Sequence, residues 1–303
     1  MKIFAFTFFL IYGFFSKALL SDTLTAKWLG VSGLILSDQK TNIIFDPVAT
    51  KPSLSHWLDL IPFKSNQVQI AEMLRQLNLK RVDASFVSHT HFDHAVDVVE
   101  ISKLTHSKIY GGDSLMQLVR RNESDQQIQF QLIKNQDVIQ IGDFKITAFR
   151  RDHPEVFPGF KFAPGIIDNN FNFFLYDYKE GEVWLYLIEH PLGNILFDQS
   201  SHFCRDLDFL TNKKIKIDAY FVGVINKMSM YDLVENNILK INPDLVIPVH
   251  FDFFLLGYDW LSNFNMPGLN LSELQTRLKS AKPQLQFYVP KKYEEIRINN
   301  RQK

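Results

Sequence analysis

Ser88-His89-Thr90-His91-Phe92-Asp93-His94 packs three imidazoles and a carboxylate into a single short stretch. The preceding Ala84-Ser85-Phe86-Val87 is apolar and β-prone, so it reads as a buried strand with the histidines on the loop leaving its end. On such a loop alternate residues can turn toward one point. His89 and His91 then suit one metal ion, while Asp93 and His94, a step further on, suit a second ion beside it. Imidazole nitrogen and carboxylate oxygen are donors that zinc accepts, and manganese or iron can take the same set. With only 9 histidines in 303 residues, chance surface clustering explains this density poorly.

The pattern His-x-His-x-Asp-His after a hydrophobic strand resembles the signature of the metallo-β-lactamase superfamily of hydrolases. The resemblance extends from about Trp28 onward. Trp28-Leu29-Gly30-Val31-Ser32-Gly33 and Ile43-Ile44-Phe45-Asp46-Pro47 resemble the opening strands of the branch holding the phospholipase D-like N-acylethanolamine enzymes and the ascorbate-phosphate lactonases. It implies the remaining ligands one by one. His153, after the strand-like Phe144 to Phe149, would complete the first site. Asp198, ending Asn194-Ile195-Leu196-Phe197-Asp198, would bridge both ions, and His250, after Val246-Ile247-Pro248-Val249, would complete the second. Family members usually carry glycine before the bridging aspartate and threonine or serine after it, whereas here Phe197 and Gln199 are the neighbours. His190 rivals His153 but lies on an apparent hairpin turn. His202 follows Asp198 closely and His106 has no supporting context, so neither is assigned a metal.

A fainter regularity supports two sites without the family. Asn42-Ile43-Ile44-Phe45-Asp46 recurs as Asn194-Ile195-Leu196-Phe197-Asp198, and Arg81-Val82-Asp83-Ala84-Ser85-Phe86-Val87 matches Lys216-Ile217-Asp218-Ala219-Tyr220-Phe221-Val222 in the same order. Two similar β/α halves follow. Packed face to face, their sheets would bring corresponding strand ends, and every proposed ligand, to one rim. The resemblance names this architecture as an α/β four-layer αββα sandwich, the metallo-β-lactamase fold. Two helices are expected to cover it. Ile70, Met73, Leu74 and Leu77 recur at helical spacing before the metal strand. Asn270 and Glu273 are spaced as a cap with its reciprocal partner, opening a helix over Leu271 to Leu278 before Pro283.

Length and a hydrophobic content of 46% fit one domain over residues 19–303. Lys+Arg and Asp+Glu both total 33, so no overall field favours nucleic acid. Met1-Lys2, an apolar run from Ile3 to Phe15 and Ser16-Lys17-Ala18 have the layout of a secretory signal over residues 1–18, with export to the periplasm expected in a Gram-negative cell. An uncleaved anchor is the alternative. Cys204 is the only cysteine, so the chain has no internal disulfide.

Two zinc ions would make a bridging hydroxide available at neutral pH and polarise an electrophile, with Asp93 as ligand, orienter of the hydroxide and proton acceptor. Phe160, Phe162, Phe171, Phe173, Phe174 and Tyr176 precede one group of strands, and Phe251, Phe253, Phe254, Leu255 and Leu256 follow His250. These aromatics suit either core packing or an apolar pocket for a small-molecule or lipid-like substrate, with peripheral membrane contact, and His56-Trp57 would form another wall. Three functions follow in order: a phosphodiester hydrolase, a lactone or cyclic ester or amide hydrolase, and a metal-binding protein without turnover.

Overall fold

The computed structural model describes residues 23–122, 128–155, 159–199, 215–225, 230–257, 261 and 263–298. The expected signal at 1–18, His202 and Cys204 lie outside the described residues. Fourteen strands run along the described chain. They are β1 (Leu24–Gly30), β2 (Gly33–Ser37), β3 (Asn42–Phe45), β4 (Ala84–Phe86), β5 (Lys108–Gly111), β6 (Phe130–Leu132), β7 (Val138–Ile141) and β8 (Phe144–Arg151), then β9 (Val183–Glu189), β10 (Ile195–Asp198), β11 (Ala219–Gly223), β12 (Leu245–Val249), β13 (Gln286–Phe287) and β14 (Glu295–Ile298).

They form two seven-stranded sheets, ordered β14-β1-β2-β3-β4-β5-β6 and β13-β12-β11-β10-β9-β8-β7. Each sheet is antiparallel through its early strands and turns parallel at one junction, β3 with β4 in the first and β10 with β11 in the second. These junctions are the repeated segments of the sequence. Their atoms repeat as well: Asn42 N donates to Asp83 Oδ2 and Asn42 Nδ2 to Arg81 O, while Asn194 N donates to Asp218 Oδ2 and Asn194 Nδ2 to Lys216 O. The two halves therefore share side-chain chemistry as well as strand order.

Strands buried on both faces need continuous apolar runs, and β10 and β11 are buried along their whole length. Between the sheets, Phe45 packs on Phe86 at 5.2 Å and on Phe197 at 5.0 Å, and Phe86 stacks on Tyr110 at 4.7 Å. This aromatic layer lies directly beneath the rim that carries the motif. Helix α1 spans Leu54–Trp57 and α2 spans Gln67–Gln76. Asn66 caps α2 by accepting from Val68 N and Gln69 N, and Ile70, Met73 and Leu77 join Ile35 and Ile44 in one cluster against the first sheet. The C-terminal helix Leu271–Ala281 buries Leu271, Leu274 and Leu278 in the cluster that contains β11 and β12. Its cap is one-sided. Asn270 Oδ1 accepts from Glu273 N, but the Glu273 carboxylate turns one helical turn forward to Arg277 at 2.9 Å and does not return to Asn270. The expected reciprocal cap is thus replaced by an (i, i+4) ion pair. Among the described residues no helix is long and apolar enough to cross a membrane.

Candidate metal centre

Strand β4 ends at Phe86, and the chain leaves it as the loop 87–91 before the single turn α3 (Phe92–Ala95). Strand β9 and the segment leading into it pin this loop. Tyr186 donates its hydroxyl to Val87 O at 2.8 Å, Trp184 N donates to Ser88 O at 2.7 Å, and Thr90 N donates to Glu180 O at 2.9 Å. His89 and His91 come from the pinned loop, and Asp93 and His94 from α3. His153 follows β8 and His250 follows β12, so three connections meet at one rim.

Two triads result. His89, His91 and His153 form the first, and Asp93, His94 and His250 the second, with candidate ligand atoms inside each triad within 4.8 Å of one another. They adjoin where the His89 and His94 rings lie 3.8 Å apart. All six side chains are buried.

The outer partners decide which nitrogens are bare. A carbonyl only accepts, so His91 donates Nε2–H to Phe162 O at 2.9 Å and His153 donates Nδ1–H to Pro154 O at 2.8 Å. Ser88 gives its one hydroxyl proton to Asp46 Oδ2 at 2.6 Å, so its oxygen accepts His89 Nδ1–H at 3.1 Å. The remaining nitrogens, His89 Nε2 and His91 Nδ1, carry lone pairs yet stand 3.0 Å apart. Two facing lone pairs at that distance repel unless a cation lies between them and a third donor. The donor set therefore fits a metal ion, in the arrangement where each ligand histidine is oriented by an acceptor behind it. In the second triad His94 donates Nδ1–H to Asp46 Oδ2 at 2.7 Å, which leaves its Nε2 buried and without a hydrogen-bond partner. His250 Nε2 lies 3.0 Å from Asp93 Oδ2, and its Nδ1 is likewise buried without a partner.

Titration follows from burial and crowding. Burial, then the neighbouring imidazoles, push His89 far below the usual histidine range. Burial likewise lowers His91 to about 3 and His153 to about 4, so the first triad is neutral and ready to bind at neutral pH. His94 goes the other way. Burial works against its charged form, but the carboxylates of Asp93 and Asp46 outweigh that and raise it. For Asp93, burial favours the neutral acid, yet His94 and His250 overcome it and hold the carboxylate low.

Asp198 is fully buried at the end of β10, where its Oδ2 is engaged by Arg151 and Tyr220, and it is in neither triad. His190 sits with Asp38 and Asp143 in another cluster. Its Nδ1 accepts from Leu192 N at 3.2 Å, so Nε2 carries the proton that faces Asp38, and no lone pair is left for an ion. His106 is exposed at the C-terminus of the helix Val98–Thr105.

A cavity of about 330 Å³ opens above the triads. Its walls include Trp57, Phe160, Phe162, Phe254, Leu255 and Met266. The aromatic segments thus divide: Phe160, Phe162 and Phe254 face the cavity, while Phe171 and Phe251 are core. Trp57 does form a wall, its Nε1–H held by Leu255 O at 2.5 Å, whereas the His56 ring folds back onto Ser53. Sequence reasoning left Asp46 and Ser88 without roles. The signal was available, because Asp46 ends the same repeated strand as Asp198.

Residues 41–167 match the model of the beta-lactamase superfamily domain. No curated protein matches the chain. Among solved structures, Igni18, a metallo hydrolase from the archaeon Ignicoccus hospitalis, is 13% identical with a TM-score of 0.61 over 92% of this chain and 100% of its own. The metallo-β-lactamase fold protein YhfI from Bacillus subtilis is 11% identical, with a TM-score of 0.57 over 91% and 100%. CmlA, a diiron β-hydroxylase from Streptomyces venezuelae, is 10% identical, with a TM-score of 0.51 over 92% of this chain and 54% of its own. Two mixed sheets between helices, with the histidine-rich loop at their shared rim, give this chain the metallo-β-lactamase fold, and the match of residues 41–167 to the beta-lactamase superfamily domain falls on the part that carries that loop.

Proposed function

We propose that the protein is a metal-dependent hydrolase acting on a substrate with an apolar portion. One observation carries the reading: bare imidazole nitrogens converge on the floor of an aromatic-walled cavity. His89, His91 and His153 would hold one ion, and Asp93, His94 and His250 a second. Zinc is the first candidate, and the diiron neighbour keeps iron beside it. A bound ion supplies Lewis-acid polarisation of the scissile group and lowers the pKa of water.

The chain's own residues do the rest. Asp93 is the one carboxylate within either triad, and His94 and His250 keep it ionised, so it orients the attacking water and takes its proton. Asp46 and the Phe162 and Pro154 carbonyls fix the imidazole rings, so little reorganisation is needed during the reaction. Trp57, Phe162 and Phe254 exclude water and seat an acyl chain or aryl group. Exposed Leu54, Leu58, Leu60 and Ile61 near Trp57 in the chain suit a substrate handed over from a lipid surface. The export expected from residues 1–18 belongs to the same proposal.

A phosphodiester of lipid type is the first substrate class. A lactone or other neutral ester is the second, favoured by the absence of Lys and Arg among the described residues lining the cavity. The test is hydrolysis by zinc-loaded protein of a chromogenic phosphodiester and of a lactone, each with an alkyl chain, beside Asp93→Ala. Diester turnover lost in the variant supports the first class, and lactone turnover alone supports the second. Full activity in folded Asp93→Ala would refute the role given to Asp93.

A further inference from the structure

Residues 51–65 leave the first sheet, carry α1 over the cavity and return to α2, and both ends of this excursion meet at one carboxylate. Asp97 Oδ2 accepts from Ala49 N and Thr50 N, each at 2.7 Å, and Oδ1 accepts the Thr50 hydroxyl at 2.7 Å. The Thr50 oxygen in turn accepts from Asn66 N at 2.8 Å, which ties the outgoing and returning legs together at the base. Beside them Ser65 donates its hydroxyl to Val96 O at 2.7 Å. A loop whose ends are joined this closely behaves as a unit. Asp97 is the N-cap residue of the helix Val98–Thr105, where an aspartate ordinarily accepts from the helix's own first amides, yet its side chain makes no capping bond. It is fully buried, and a buried carboxylate is costly unless its oxygens are hydrogen-bonded. The donors that meet this need come from the loop instead of the helix.

We propose that Asp97 is a positioning residue for the apolar wall of the cavity: by closing the loop 51–65 at its base it holds Trp57 over the metal centre, and so sets how tightly the apolar portion of a substrate is bound. The inference rests on the substrate reading above. Helix α1 needs such support. It is a single turn and none of its residues is buried, so neither propensity nor core packing fixes it. Beyond its base the loop is held to the segment after His250, where Gly257 N donates to Pro52 O at 2.7 Å and Trp57 Nε1–H to Leu255 O. The run His94-Ala95-Val96-Asp97 links this clamp to α3. The same short stretch of chain therefore presents Asp93 and His94 and anchors the wall that faces them.

Hydrogen exchange and probe binding on zinc-loaded full-length protein test this. Asp97→Asn exchanges an acceptor oxygen for an amide that faces donors, and Thr50→Val removes the hydroxyl that joins Asp97 to Asn66 while keeping its shape. Both should speed exchange of the amides in residues 49–66 about 10-fold, the worth of one such hydrogen bond, and leave β4 and β12 unchanged. Thr50→Ser keeps the hydroxyl and should exchange as wild type does. Calorimetry with acetohydroxamate and octanohydroxamate, whose shared head binds metal, then reads the wall. Wild type should prefer the octanoyl probe, and in Asp97→Asn and Thr50→Val that preference should fall about 10-fold with acetohydroxamate affinity unchanged. Unaltered exchange in both variants, or faster exchange with an unaltered preference, would overturn the inference. An equal loss for both probes would overturn it too, because Asp97 would then support the centre and not the wall. Equal affinity of wild type for the two probes would instead overturn the apolar-substrate reading, and the inference with it.

Discussion

Asp46 acts on the centre at one remove. Its carboxylate takes Ser88 N–H at 2.6 Å and, through Oδ2, both the Ser88 hydroxyl and His94 Nδ1–H, so a single side chain fixes two rings of different triads. Asp46→Asn replaces one acceptor oxygen with an amide donor facing groups that already donate. We expect metal affinity to fall about 10- to 100-fold with the fold retained, as outer-partner mutations typically do. Zinc titration checks this, and unchanged affinity would remove Asp46 from the design. The motif itself was legible in the sequence because His89, His91, Asp93 and His94 lie on one loop and turn, where spacing already sets the geometry. His153 and His250 are lone histidines after strands, so they emerged only through family resemblance. The pairings Asp46 with His94 and Asp198 with Arg151 span 48 and 47 residues. Contacts between remote strand ends are set by sheet order, which residue spacing does not encode.

At the scale of elements, the short helix α1 does more than its four residues suggest. It swings Trp57 over the cavity, where the ring meets Phe92 edge-on at 5.6 Å and lies 6.3 Å from both Phe162 and Tyr176. Nothing in helical periodicity marks such a segment, because one turn shows no repeat, and the sequence offered only an aromatic in a loop. Long elements were easier. The strands β4, β8, β10 and β12 and the helices beginning at Gln67 and Leu271 all fall where apolar pattern and capping residues placed them. Trp57→Ala should remove one wall of the cavity while leaving both triads intact. The expected result is a KM raised about 10-fold for substrates with a long alkyl chain, with little change for a short-chain analogue, a size set by the transfer free energy of a few buried methylenes. An equal loss for both chain lengths would mean that Trp57 supports the centre itself and is not a substrate wall.

For the whole molecule, metal and stability are linked, because the first triad is assembled from β4, β8 and the sheet contacts that hold them together. In the metal-free protein the buried imidazoles of His91 and His153 titrate at about 3 and about 4, against 6.5 in an open chain. Between about pH 6.5 and about pH 4 the unfolded chain thus binds protons that the folded chain refuses. Stability is therefore fully present above about pH 6.5 and is lost as pH falls through this window. At about pH 5 the loss is roughly 2 kcal/mol for each of the two groups. An ion on the same nitrogens adds binding free energy to the folded state, about 2.7 kcal/mol when free metal is 100-fold above its Kd. Thermal melts should then show two effects: a Tm that falls steeply from about pH 7 to about pH 5 after chelation, and a higher Tm at both pH values once zinc is restored, with a similar slope because the folded imidazoles are already unprotonated in this window. Identical melts with and without chelator at both pH values would mean that the triads hold no ion, and that the close approach of His89 and His91 is relieved by a proton instead.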